Sequence, residues 1–300
     1  MNVIEPIFER EFSEQSYGFR SERGCKDALR RVDELLKSGY VHVVDVDLES
    51  YFDTIPHDLL LERLSEKIAD SSLLGLISQF LTAPIEEGDE KWIPEQGTPQ
   101  GSVLSPLLSN IYLDPLDHLM SQLGFEMVRY ADDIVILCRS KSEANRAYSA
   151  LQNWLTANGL TLHHAKSKLV DVREEGFDFL GYHFSGMDRH VSKKSLKKLK
   201  STIRIKTRRT CGRSLHFIIA DVNITLRGWF GYFQHGHRWT FEPLDRFIRQ
   251  RLRSILKRHN KISGVAKGRD MYRWNNTFFA SAGLYSLMTA HRLASQSSRR

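Results

Sequence analysis

Apolar and polar positions alternate between two periods along this chain, and the change of period divides it into elements. A helical repeat runs from about Lys26 to Lys37, followed by the β-branched run Val41 to Leu48, which reads as a buried strand. A helix is predicted after Pro56, and a longer one after Ser105 through Leu107, Leu108, Ile111, Tyr112 and Leu116. Two strand-like runs, Phe125 to Val128 and Ile134 to Leu137, then flank a tight turn, and a helix is expected from Ser142 to Asn158. Short strands are predicted over Lys168 to Val172 and Phe177 to Phe184. From Ser192 the pattern is helical, with Leu196, Leu199 and Ile203 on one face and basic residues around them. A mixed α+β domain of residues 1–185 is therefore expected, then an all-α domain of residues 186–300, with Gly186 to Val191 as the boundary.

The tight turn is Tyr130-Ala131-Asp132-Asp133. Adjacent carboxylates repel each other, which is tolerable where a divalent cation sits against them. Asp is also a common turn former, so the pair alone could simply cap a hairpin. The Val41 strand ends in Asp45-Val46-Asp47, placing a further carboxylate where the backbone turns away. Asp47, Asp132 and Asp133 could together hold two Mg²⁺ ions, the clamp used for in-line displacement at phosphorus. Asp45, Asp47 and Asp53 are equally compatible with helix capping or turn formation before Ile55-Pro56-His57, and that alone is the reading for Asp53.

Between the acidic elements runs Gln96-Gly97-Thr98-Pro99-Gln100-Gly101-Ser102-Val103-Leu104-Ser105-Pro106. Its glycines and proline allow a base or ribose to approach closely, and Gln100 offers both a donor and an acceptor. These stretches, with Gly159 to Lys166 and Phe179-Leu180-Gly181-Tyr182, stand in the order of the palm motifs of reverse transcriptases. Their spelling resembles the bacterial group II intron reverse transcriptase and maturase family. Ser16-Tyr17-Gly18-Phe19-Arg20 and Leu226-Arg227-Gly228-Trp229-Phe230-Gly231-Tyr232-Phe233 are similar to that family's lower-fingers segment and maturase region.

The resemblance implies a right-hand polymerase palm with partial fingers, followed by a basic helical thumb and maturase domain. It implies that Asp47, Asp132 and Asp133 ligate the metal ions, and that Phe52 lies under the incoming sugar and excludes a 2′-hydroxyl. Gln100, Gly101 and Tyr130 would contact the nucleotide and templating pair. Lys166 would donate a proton to pyrophosphate, and Phe179, Leu180 and Gly181 would grip the primer. The partners implied are group II intron RNA as template, a DNA primer or target, and deoxynucleoside triphosphates. Two departures stand out: His164 and Ala165 replace the proline and acidic residue the family carries before Lys166, and only Met1 to Gln15 precede the Ser16 motif. The fingers are thus expected to be incomplete and polymerisation weak, with activity regained by an upstream fingers segment.

Charge sharpens the division. The 300 residues carry a formal net charge of +7, yet residues 186–300 hold 26 Lys and Arg against 5 Asp and Glu, and the remainder is net acidic. Polyanion binding is expected in the C-terminal part. Arg227, Arg249 and Arg253, with Trp229 among nearby aromatics, are candidate RNA contacts, since arginines fork onto phosphates while aromatics stack on unpaired bases. A basic helix face is, equally, often only a solvated one. Cys25, Cys138 and Cys211 stand apart from any metal-ligand spacing, so reduced thiols in the cytoplasm are expected. No apolar run suggests a membrane span, no zinc-dependent endonuclease module is expected, and no oligomeric state is indicated. Two other functions fit the same motifs: an RNA-binding splicing cofactor with little polymerase activity, and another prokaryotic reverse transcriptase serving defence or diversification.

Overall fold

The computed structural model describes residues 3–88, 90–99, 101–210, 212–262, 264 and 268–297. The chain forms two compact units, Met1–Leu180 with Ser185–Met187, and Gly181–Phe184 with Asp188–Arg300.

The first unit is built on a four-stranded antiparallel sheet. In chain order it contains α1 (Glu5–Glu9), α2 (Cys25–Lys37), β1 (His42–Val46), α3 (Tyr51–Thr54), α4 (His57–Ser65), α5 (Ser71–Leu81) and the hairpin β2 (Ile85–Glu87) and β3 (Glu90–Trp92). Then follow α6 (Ser105–Gln122), β4 (Glu126–Tyr130), β5 (Asp133–Cys138), α7 (Lys141–Ala157), β6 (Lys168–Asp171) and β7 (Phe177–Phe179). The sheet order is β4-β5-β1-β6. Val44, Val46, Ile134 and Ile136 join one core cluster with Leu108, Ile111, Tyr112 and Leu116 of α6 and Ala144, Ala147, Leu151 and Leu155 of α7. The spacing of those helical residues gives each helix one buried stripe, which is why the helices lie on the sheet. Ser140 caps α7, its hydroxyl accepting from the Glu143 amide.

The second unit holds most of β8 (Tyr182–Ser185), β9 (Asp188–Val191) and a set of helices: α8 (Lys193–Lys206), α9 (Leu215–Phe233), α10 (Phe241–His259), α11 (Arg269–Arg273), α12 (Asn276–Ser281) and α13 (Leu287–Ser297). Its core is Leu199 and Ile203 of α8, Val222, Leu226 and Phe230 of α9, and Leu244, Ile248, Leu252 and Ile255 of α10.

The predicted α+β region followed by helices is therefore present. One element differs from expectation: Phe177 to Phe184 is not a continuous strand. Leu180 and Gly181 both adopt left-handed φ, +47° and +79°, and that pair breaks the run into β7 and β8. Helix α5 and the hairpin of β2 and β3 have no counterpart among the elements expected from periodicity.

Candidate active site

Strand pairing brings the three carboxylates together. Strand β1 runs antiparallel to β5 with Val46 opposite Ile134, so the next step along β1 carries Asp47 to the level of Asp133. The turn between β4 and β5 is two residues long, since Tyr130 pairs with Asp133. Ala131 takes the positive φ of +58° that primed hairpin turns place at their first position. Asp132 therefore sits at the tip and Asp133 at the first residue of the strand.

Electrostatics confirm that these groups sense each other. Burial first, then the Asp45, Asp132 and Asp47 carboxylates, push Asp133 up to about 7, against a lowering contribution from the Leu180 amide, whose N–H lies 3.4 Å from Asp133 Oδ2. Asp132 is raised by burial and by Asp47. Asp45, within β1, is raised to about 6, mainly by burial. Asp47 is more open, and Lys166 Nζ stands 3.4 Å from its Oδ1. Its backbone is fixed: the Asp47 amide donates to Ser167 Oγ at 3.0 Å, and its carbonyl accepts from the His163 amide at 2.9 Å. Partly desolvated carboxylates that raise one another's proton affinity are stabilised by a nearby positive charge, which Lys166 supplies to Asp47.

The donor set suits Mg²⁺, a hard ion that prefers carboxylate oxygen. Among the described residues no group of three or more His, Cys, Asp or Glu side chains is placed to hold a metal ion. Mg²⁺ sites in phosphoryl-transfer enzymes use one or two carboxylates and complete the shell with water and substrate phosphates, so an open set is compatible with that ion.

The remaining candidates divide. Phe52 is half-buried, its ring edge-on to Tyr51 with centroids 5.3 Å apart. The Gln96 loop docks directly on it: the Thr98 amide donates to the Phe52 carbonyl and the Gly97 amide to that of Ile55, both at 2.7 Å. Gly97 permits this, because a Cβ there would lie 2.7 Å from the Asp53 carbonyl oxygen. Gly101 is exposed, whereas Gln100 lies outside the described residues. Tyr130 faces Phe19 with ring centroids 6.2 Å apart, and a hydrogen bond with Cys25 followed by burial pushes its hydroxyl up to about 12. Phe179 is buried, so only its backbone can approach a primer, while Leu180 binds Asp133 as above.

In the second unit Arg227 is exposed, its guanidinium 4.8 Å from the Tyr285 ring. Trp229 packs on Phe233 with centroids 4.8 Å apart. Arg249 is mostly buried beside Asp245. The expectation for Arg253 is corrected: it is only 3% exposed, Nε donates to the Trp274 carbonyl at 2.8 Å, and its charge lies over Phe279. A guanidinium so enclosed is a core group and is not presented to a phosphate. Sequence reasoning also passed over Arg129, Asp117 and Asn110, which lie behind the acidic turn. Asn110 and Asp117 are seven apart and lie among the buried residues of α6, but no strand or helix period singles them out.

Residues 1–184 match the family model described as Reverse transcriptase (RNA-dependent DNA polymerase), and residues 196–274 match Group II intron, maturase-specific domain. The chain belongs to the reverse transcriptase family, and within it to the group II intron reverse transcriptases and maturases. It is 38% identical over 127 residues to the group II intron-encoded protein LtrA of Lactococcus lactis, covering 42% of this chain and 21% of that one. It is 26% identical over 308 residues to a protein of COX1/OXI3 intron 1 in Saccharomyces cerevisiae, covering 80% and 36% respectively. The chain thus spans about a third or less of these relatives' length. A telomerase from Candida albicans, solved with a fragment of telomeric RNA, shares the fold with a TM-score of 0.52 at 13% identity, covering 87% of this chain and 53% of that one.

Proposed function

We propose that this chain is an RNA-directed DNA polymerase of the group II intron type, in which residues 1–185 carry nucleotidyl transfer and residues 186–300 bind intron RNA. The observation that carries the reading is the meeting of Asp47, Asp132 and Asp133 at the end of two paired strands, with two of the three held above the usual carboxylate range. Polymerases of this family typically depend on Mg²⁺. Two such ions, when bound, supply Lewis acidity at the entering and leaving oxygens of the transferred phosphoryl group.

The protein's part is to position. Asp47, Asp132 and Asp133 fix the point of reaction from a rigid sheet, which stabilises the transition state without reorganisation. Phe52 supports the sugar of a deoxynucleoside triphosphate, its backbone held by the Thr98 amide. Lys166 is close enough to Asp47 to be a proton donor to departing pyrophosphate. Primer contacts fall to the backbone around Phe179, Leu180 and Gly181. The maturase-specific match supports intron RNA as partner and template, with Arg227 and Trp229 as candidate contacts; Arg249, turned toward Asp245, is not one of them. A DNA primer completes the substrate set.

RNA-templated primer extension by the 300-residue chain and by Asp132→Asn tests this. The variant should lose at least about 100-fold in rate, as expected when transition-state charge stabilisation is removed, while its circular dichroism and melting stay parental. Extension by the variant at the parental rate would exclude Asp132 from the site.

A further inference from the structure

Behind the catalytic turn lies a fully buried polar cluster that nucleotidyl transfer as described does not use. Arg129, the last but one residue of β4, is 0% exposed, as are Asp117 and Asn110 of α6. Its Nε donates to both Asp117 oxygens, at 2.7 and 3.0 Å, and Nη2 also donates to Asp117 Oδ2. Nη1 donates to Asn110 Oδ1 at 3.0 Å and to the carbonyl of Ala131 at 3.1 Å. Asn110 Nδ2 continues the chain to the Gly18 carbonyl at 2.8 Å.

Gly18 closes the arrangement from the other side. A Cβ at that position would lie 2.3 Å from the Ala131 nitrogen and 3.0 Å from the Tyr130 carbonyl carbon. The segment is stitched to β4, since the Arg129 amide donates to the Gln15 carbonyl and the Tyr17 amide to that of Arg129. The two peptide units flanking Ala131 are therefore both fixed, the following one by a guanidinium on its carbonyl and the preceding one by the Gly18 backbone against its nitrogen.

A buried ion pair adds little to stability, because well-packed apolar residues of the same volume often serve the fold as well or better. Ala131 also holds a left-handed φ, a conformation that persists only where its surroundings over-determine it. From these two facts we infer that Arg129, Asp117, Asn110 and Gly18 are positioning residues that clamp the Ala131 peptide and so set where Asp132 and Asp133 present their oxygens. The inference rests on the polymerase reading for its consequence in catalysis, and on geometry alone for the clamp.

The test replaces the pair isosterically in the full chain, Arg129→Met with Asp117→Leu. The melting temperature should fall by no more than the loss of two buried hydrogen bonds, to Asn110 Oδ1 and the Ala131 carbonyl, since removing both charges of the pair leaves no uncompensated charge. Amide hydrogen exchange over residues 130–133 should rise about tenfold or more. kcat for RNA-templated extension should fall about 100-fold with KM for the nucleotide nearly parental, since sub-ångström misplacement acts on the transition state. A folded double variant with parental exchange over residues 130–133 overturns the clamp. Gly18→Ala keeps the buried pair and displaces the turn from outside; it should give the same rise in exchange, and parental exchange there overturns the clamp even if the double variant fails to fold. Absence of extension by the parental chain would count against the polymerase reading, while the exchange comparison would still decide the clamp.

Discussion

Phe52 illustrates how one side chain acquires a role from its neighbours. As a residue it is an ordinary large apolar group that packs against the core cluster, and its ring is only half covered. The Thr98 amide bound to its carbonyl and the Gly97 backbone pressed on Asp53 fix the Phe52 backbone against the Gln96 loop. On the proposed role of Phe52 as a steric block to the 2′-hydroxyl, Phe52→Ala should raise ribonucleotide use relative to deoxynucleotides by about tenfold or more. Single-nucleotide incorporation measures the ratio; an unchanged value would assign the ring to packing only. Arg253 teaches the opposite lesson. Arg249, Arg253 and Lys257 step by four along α10, and all three side chains turn inward, toward Asp245, Trp274 and Asp270. Basic residues that look like a phosphate-binding face in the sequence are, at these positions, paired inside the fold.

At the scale of elements, periodicity is informative wherever an element has one apolar face and fails where tertiary structure decides. Helices α2, α4, α6 and α7 and strands β1, β4 and β5 lie within a few residues of their expected spans: α2 and α7 show a helical apolar period, while β5 and α6 are apolar runs buried on more than one face. Helix α5 escapes such a reading: its run Leu73-Leu74-Gly75-Leu76-Ile77 is apolar all round, and only the Asp70 cap marks its start. The break at Leu180 is invisible because a left-handed leucine has no sequence signal. The acidic turn is legible in full, being local. What lies behind it is not, since nothing in the strand pattern says that Arg129 reaches back to α6. Helix α8 carries the clearest prediction at this scale. Lys193, Lys194, Lys197 and Lys198 are exposed along it, opposite the buried Leu199 and Ile203. Changing all four to Gln should weaken binding of structured RNA and reduce the slope of log affinity against log salt by about 0.7 to 0.9 for each phosphate that is no longer neutralised. A slope equal to the parental one would remove α8 from the RNA surface.

For the molecule as a whole, the division of charge follows the division of labour. In the proposed reading the acidic part holds the cation site, and the part with 26 basic against 5 acidic residues provides the affinity for RNA. Among the described residues no helix is long and apolar enough to cross a membrane. The maturase-specific match falls within the basic part and the polymerase match within the acidic one. Everything chemical in this scheme depends on Asp47, Asp132 and Asp133 acting as one cation site. Titration of Mn²⁺ into the full chain, followed by paramagnetic resonance at about pH 8 and about pH 6, reads that site without substrate. Asp133, pushed up to about 7, binds a proton as pH falls through that value, and a protonated carboxyl is no ligand, so affinity should drop from the higher pH to the lower. Asp47→Asn and Asp133→Asn should each lose tightly bound Mn²⁺ at the higher pH, and Asp133→Asn should also lose most of the pH dependence. Parental stoichiometry and affinity in both variants at both pH values would contradict a shared site.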